Sequence, residues 1–190
     1  MKKQFLIPAV AAVAFSGLAF ASNEADTDAA EAKKIIGEFF STLKGELQSA
    51  MKAGGPVSAI TICQERAPEI ADSLSEKTGW EVGRTSLKLR NAELNAPDEW
   101  ERGVLTAFEE RKAAGEDVKT MAFSEVVESD GGERYRFMKA IPTGEVCLVC
   151  HGETLGPDIA AAIDKAYPAD EAKGFELGDI RGAFTLSKPR

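Results

Sequence analysis

The sequence predicts an α+β fold built on an antiparallel sheet. Two runs with helical apolar spacing come first, two alternating runs joined by a glycine turn come late, and a further alternating run lies near the C-terminus. Helices first, then strands with interspersed helices, is the order of an α+β domain rather than of repeated βαβ units.

From Asp28 to Lys52 the residues Ile36, Phe39, Phe40, Leu43, Leu47, Ala50 and Met51 recur at helical spacing, and Ala53-Gly54-Gly55 ends the run. Pro56 opens a second helical stretch with Val57, Ile60, Cys63, Ala67, Ile70, Ala71 and Leu74 near one face. Pro68 lies inside it and predicts a kink or restart, because proline has no N–H and crowds the preceding turn. Thr78-Gly79 closes the stretch. WEVGRTSLKLRN then alternates, which predicts a strand with Leu87 and Leu89 on one face and Arg84, Ser86, Lys88 and Arg90 on the other. Asn95-Ala96-Pro97-Asp98 reads as a loop and helix start, with Trp100, Val104, Leu105 and Phe108 continuing to about Ala114. MAFSEVVE and ERYRFMKAIP are strand-like runs joined by Ser129-Asp130-Gly131-Gly132, a hairpin signal. A short helix from Asp158 to Tyr167 and a strand at GAFTLS complete the chain.

The N-terminal 21 residues read as a secretory signal peptide: Lys2 and Lys3, an apolar core from Phe5 to Phe20, and a small-x-small site at Ala19-Phe20-Ala21. A transmembrane anchor is the competing reading, but Pro8, Ser16 and Gly17 interrupt a stretch already short for spanning. Residues 22–30 are small and polar and read as a flexible leader. Residues 31–190 are then a single domain, with no later segment apolar enough for membrane insertion and a periplasmic location expected. The net charge of −8, made more negative by losing two lysines, argues against nucleic acid or an anionic membrane as partner.

The chain has three cysteines and one histidine, and two of the cysteines stand beside that histidine in Cys147-Leu148-Val149-Cys150-His151. Two thiols three apart followed at once by an imidazole is the attachment spacing of c-type haem. The thiols add across the two vinyl groups of one porphyrin, and the next residue lies under the iron as proximal ligand. A redox dithiol would not require His151, and structural zinc would need adjacent residues Cys150 and His151 to share one tetrahedral ion. One covalently attached haem c is therefore the expected cofactor. His151 would bind iron through Nε2 while Nδ1–H donates to a carbonyl or carboxylate. With one histidine a bis-histidine centre is excluded. Met51, Met121, Met138, Cys63, a lysine and an open position all remain for the sixth ligand. Cys63, beside Ala67 and Ile70, also fits an inert buried thiol. Arg84, Lys88 and Arg90 could pair with haem propionates or simply form a solvated strand face.

The runs AITICQERAPEIA (Ala59–Ala71), GRTSLKLRN (Gly83–Asn91), NAPDEWE (Asn95–Glu101) and CLVCH together resemble a family of exported single-haem c-type domains. That family was long catalogued as a domain of unknown function, and it occurs alone or as the extracytoplasmic input domain of bacterial signalling proteins. The resemblance covers about Ile35 to Leu186. It implies a PAS-like antiparallel sheet with flanking helices and a long N-terminal helix. It also implies six-coordinate iron, with His151 proximal and Cys63 distal. Thiolate ligation inside an acidic protein favours the ferric state and a low potential. A labile sixth ligand would admit a diatomic gas. The expected role is electron transfer with a redox partner protein, or redox and gas sensing. With no signalling module attached, a sensor would need a separate partner, which tilts the expectation towards redox carriage. A peroxidase-like haem enzyme with an open distal site, or a non-haem dithiol or metal-binding module, is the alternative.

Overall fold

The computed structural model describes residues 18–129 and 131–190, with side chains from Glu24 onward. Helix α1 runs Leu18–Thr61, interrupted at Gly55 (φ 74°, ψ −170°) where Pro56 restarts it. A π-helical turn, Ile62–Arg66, leads into α2, Ala67–Thr78, which Gly79 ends in the left-handed conformation. Strand β1 is Glu81–Thr85, followed by the short helix α3, Ala92–Asn95, and α4, Glu99–Ala113. Asp98 and Glu101 form a capping box at the start of α4. Strands β2, Ala122–Ser129, and β3, Gly132–Pro142, make the expected hairpin, with its Asp130 outside the described residues. Helices α5, Glu145–His151, and α6, Pro157–Ala166, precede the last strand, β4, Ile180–Pro189.

The four strands pair antiparallel in the order β1-β4-β3-β2. Alternation along β3 and β4 divides the core in two. Tyr135, Phe137, Phe184 and Leu186 meet Ala32, Ile35, Ile36 and Phe39 of α1, together with Leu74 and Trp80. Met138, Ala140 and Ala183 turn the other way onto Val104, Leu105 and Phe108 of α4. This is the antiparallel sheet with flanking helices and a long N-terminal helix that the family resemblance implied. Among the described residues, no helix is long and apolar enough to cross a membrane.

Two expectations need correction. Residues 22–30 are not a loose leader but the first turns of α1. Asp28 is buried and pairs with Lys188 at 2.7 Å, and Ala25 and Ala29 pack on the core. Apolar alanines spaced four apart, with an acid reaching the C-terminal strand, give this segment tertiary partners that its composition does not advertise. The signal peptide expected there lies mostly outside the described residues. Its last four residues, 18–21, begin α1.

The strand expected across WEVGRTSLKLRN ends at Thr85. Ser86 accounts for this: its hydroxyl donates to the Arg181 carbonyl at 2.8 Å and accepts the Lys88 N–H at 3.2 Å. A side chain thus takes the bonds that the ladder would have made, and the backbone turns. Arg84, Lys88 and Arg90 consequently do not share one strand face.

Candidate functional site

Helix α5 is short, but its geometry suits the motif. Positions i, i+3 and i+4 lie on one helical face, so Cys147, Cys150 and His151 project together. The Gly144 N–H approaches the Cys147 sulfur at 3.4 Å. Gly152 ends the helix with its N–H on the Leu148 carbonyl, and a Cβ at this position would come within 2.6 Å of that oxygen. The residue after the imidazole must therefore be glycine in this backbone. All three cysteines are free and half-buried.

The wall facing α5 is the segment after α6. Gly174 and Phe175 donate their N–H groups to the carbonyls of Gly152 and His151, at 3.1 and 3.0 Å. The same segment orients the imidazole: His151 Nδ1 lies 2.8 Å from the Ala172 carbonyl. A carbonyl only accepts, so Nδ1 carries the proton and Nε2 keeps its lone pair. The Phe175 ring stands edge-on to the imidazole, 6.2 Å between centroids. Burial, reinforced by Arg181 and Arg90, pushes the His151 pKa down to about 2. The ring is neutral at physiological pH, the state that ligates metal.

Cys63 reaches this site from the opposite end of the chain, on the π-helical turn between α1 and α2. Single π turns concentrate at functional sites because the extra residue re-aims a side chain. Pro68 follows, unable to donate to the carbonyl four residues back, which places the irregularity where the sequence predicted a restart. An apolar cluster of Ile60, Ile163 and Tyr167, with Cys150 packed on it, joins this turn to α5 and α6. Burial raises the Cys63 thiol, with Arg84, Arg90 and Arg181 acting against it and Cys147 with it. The same surroundings, burial first and Cys63 next, push Tyr167 up to about 12.

The basic residues divide by role. Arg90 takes Asp170 in a bidentate pair at 3.1 and 3.1 Å, and also donates to the Cys150 carbonyl at 2.6 Å and the Ala172 carbonyl at 3.2 Å. It ties the motif helix to the loop that orients His151, rather than reaching outward to a propionate. Lys88 is exposed, with its ammonium 5.1 Å over the Phe175 ring. Arg84 stays on β1, its guanidinium 5.3 Å over the Phe39 ring.

Sequence reasoning missed Arg181. Along β4, Gly182 pairs with Ile141 and Ile180 with Pro142, so Arg181 is the extra residue of a β-bulge. Its Nε lies 3.2 Å from Nδ1 and 3.4 Å from Nε2 of His151. The available signal was an arginine immediately before the alternating run GAFTLS. A bulge, however, is set by pairing, not by local sequence. A separate cavity of about 370 Å³ lies beyond Phe175, against α4 and lined by Lys88, Leu105 and Lys112, not against the cysteine motif.

A family model described as Tll0287 matches residues 21–189. The chain belongs to the Tll0287-like family. Among solved structures, the crystal structure of the cyanobacterial heme-protein Tll0287 is similar at 22% identity with a TM-score of 0.55, covering 80% of this chain and 92% of that one. That likeness shows the fold. A search of curated proteins finds no match. The Tll0287-like assignment agrees with the resemblance read from the four sequence motifs, which lie within the matched span.

The donor set suits a haem. Two thiols and an Nε2 lone pair project from one helix face, and a third thiol lies within electrostatic range of both motif cysteines. A dithiol alone would leave the oriented imidazole without a task. Among the described residues, no group of three or more His, Cys, Asp or Glu side chains gathers as a separate metal site.

Proposed function

We propose that this chain is an exported, periplasmic c-type cytochrome carrying one haem and acting in electron transfer. The observation that carries the reading is the 2.8 Å contact of His151 Nδ1 with the Ala172 carbonyl, directly after the Cys147/Cys150 pair. It leaves the lone pair on Nε2, one residue beyond two attachment thiols. Membership of the Tll0287-like family, together with a structural relative whose title calls it a heme-protein, supports the same conclusion. Cys147 and Cys150 would hold the tetrapyrrole, His151 would be the proximal ligand and Cys63 the distal one. The bound haem supplies a one-electron couple.

The protein's part is orientation and electrostatics. The Ala172 carbonyl fixes the imidazole tautomer, and Arg90 and Asp170 fix the loop that carries this carbonyl. The three arginines supply positive charge to a site that would bind a thiolate. With the only histidine committed below the metal, no distal imidazole is left to move protons, which supports a carrier over a peroxidase-like enzyme. A redox partner protein is then required. Redox or gas sensing is a second reading, favoured by one observation. Cys63 sits on a π turn, an irregularity that recurs at functional sites.

The test is the pyridine haemochrome spectrum and intact mass of the chain made in a host with haem-attachment machinery. One haem, stable to acid-acetone extraction, is expected. A mass without it overturns the proposal.

A further inference from the structure

Resting on the haem reading above, we propose that Arg84 and Arg181 form a paired carboxylate site that takes the two propionates of the tetrapyrrole. The argument is charge balance. Arg84, Arg90 and Arg181 all act on the Cys63 and His151 region, and Asp170 is the carboxylate among them. Arg90 takes Asp170 in both arms. Among the described residues neither of the other two makes an ion pair, although Asp170 lies close enough to act on Arg181. Arg181 donates to neutral partners: the imidazole Nε2 at 3.4 Å, the Ser86 hydroxyl at 3.2 Å and the Lys88 carbonyl at 3.3 Å. Among the described residues the Arg84 guanidinium makes no hydrogen bond or ion pair, only its contact with the Phe39 ring.

Both guanidinium groups are half-buried, where a cation without an ion-pair partner is costly, and a carboxylate ligand would relieve that cost. Burial is the leading cause that pulls both groups below the ordinary arginine value, Arg181 to about 10. A planar guanidinium matches a carboxylate in two parallel hydrogen bonds, which an ammonium cannot do. The bulge on β4 supplies the aim, turning Arg181 out of the strand's alternation and onto the imidazole. A metal on Nε2 would move this guanidinium off the ring and free its donors. Lys88, exposed in its turn, and Arg90, tied to Asp170, are left out of this pair.

The test uses the haem-loaded full-length chain, with covalent haem first verified by the pyridine assay. Wild type, Arg84→Gln, Arg181→Gln and the two Lys versions are compared by redox titration and by the propionate bending bands in resonance Raman spectra. Each Gln variant is expected to lower the midpoint potential and shift a propionate band, with Lys restoring the potential in part. Normal haem content with potential and bands unmoved overturns the inference while leaving the haem reading intact. Absence of covalent haem in the wild type overturns the functional reading itself. Repeating Arg84→Gln in a Cys63→Ser background separates the two sources of negative charge. A shift that persists supports the propionate, and one that vanishes assigns Arg84 to the Cys63 thiolate and overturns its half of the pair.

Discussion

Cys63 and His151 lie 88 positions apart in the sequence, yet they feel the same three arginines. On the proposed function, Cys63→Ala removes the distal thiolate, and the ferric spectrum is expected to change from low-spin thiolate type to high-spin. Electron paramagnetic resonance would read this directly, since thiolate-ligated low-spin iron has a narrow g-spread, and an unchanged spectrum would remove Cys63 from the coordination sphere. A second residue carries structural weight. Asp170 is 1% exposed in its side chain, pairs with Arg90, and accepts the Ala172 N–H at 2.9 Å. Asp170→Ala leaves that arginine buried and unpaired, so a loss of about 3–5 kcal/mol is expected in denaturant unfolding. Its effect should equal or exceed that of Arg90→Ala, because the oxygen that orients Ala172 also goes.

At the level of elements, the close approach of β4 to the end of β1 decides where the site can form. Gly182 has φ 155°, and a Cβ there would lie 2.3 Å from the Thr85 carbonyl and 3.1 Å from the Ser86 Cβ. Only glycine permits the two strands to approach where Ser86 reaches the Arg181 carbonyl. Gly182→Ala is expected to cost about 1–3 kcal/mol by overpacking and to disturb Arg181, visible as a lower melting temperature together with an altered haem spectrum. The strand and helix boundaries on either side were legible in the sequence. Gly79, Asp98 and the Ser129–Gly132 turn each carry a local signal that needs no distant partner. The end of β1 was not, because the bond that terminates it runs from Ser86 to residue 181.

Across the whole molecule, α1 acts as a brace. Asp28 and Glu31 meet Lys188, and Asp28 and Glu24 approach Arg190, so the start of the chain is tied to its end. A chain beginning at Glu31 should melt at a lower temperature than one beginning at Ser22. Equal melting temperatures would show that residues 22–30 contribute nothing. Acid stability has a comparable tie in Asp179, which pairs with Lys112 of α4. Burial pushes its carboxyl up, but the Glu176 N–H and the Lys112 ammonium outweigh burial and hold it below the ordinary value. A carboxylate depressed on folding stabilises the native state above its unfolded pKa, near 3.9, and that contribution is lost as pH falls through the lower folded value. Asp179→Asn should therefore flatten the acid limb of the stability curve below about pH 4 and leave the curve's shape near pH 7 unchanged.

The sequence by itself determined most of the helix and strand order, the sheet's antiparallel character and the Cys147-Cys150-His151 spacing, because periodicity, caps and motif spacing are local properties of a chain. The short helix α5 that turns this spacing into one face came from the structure. Only the tertiary structure decided that Ala172 orients the imidazole, that Arg90 is tied to Asp170, and that a bulge delivers Arg181 to the ring. Each of these depends on a backbone carbonyl, a carboxylate or a pairing register contributed from elsewhere along the chain. No local pattern encodes such a partner, since it exists only once the sheet has closed.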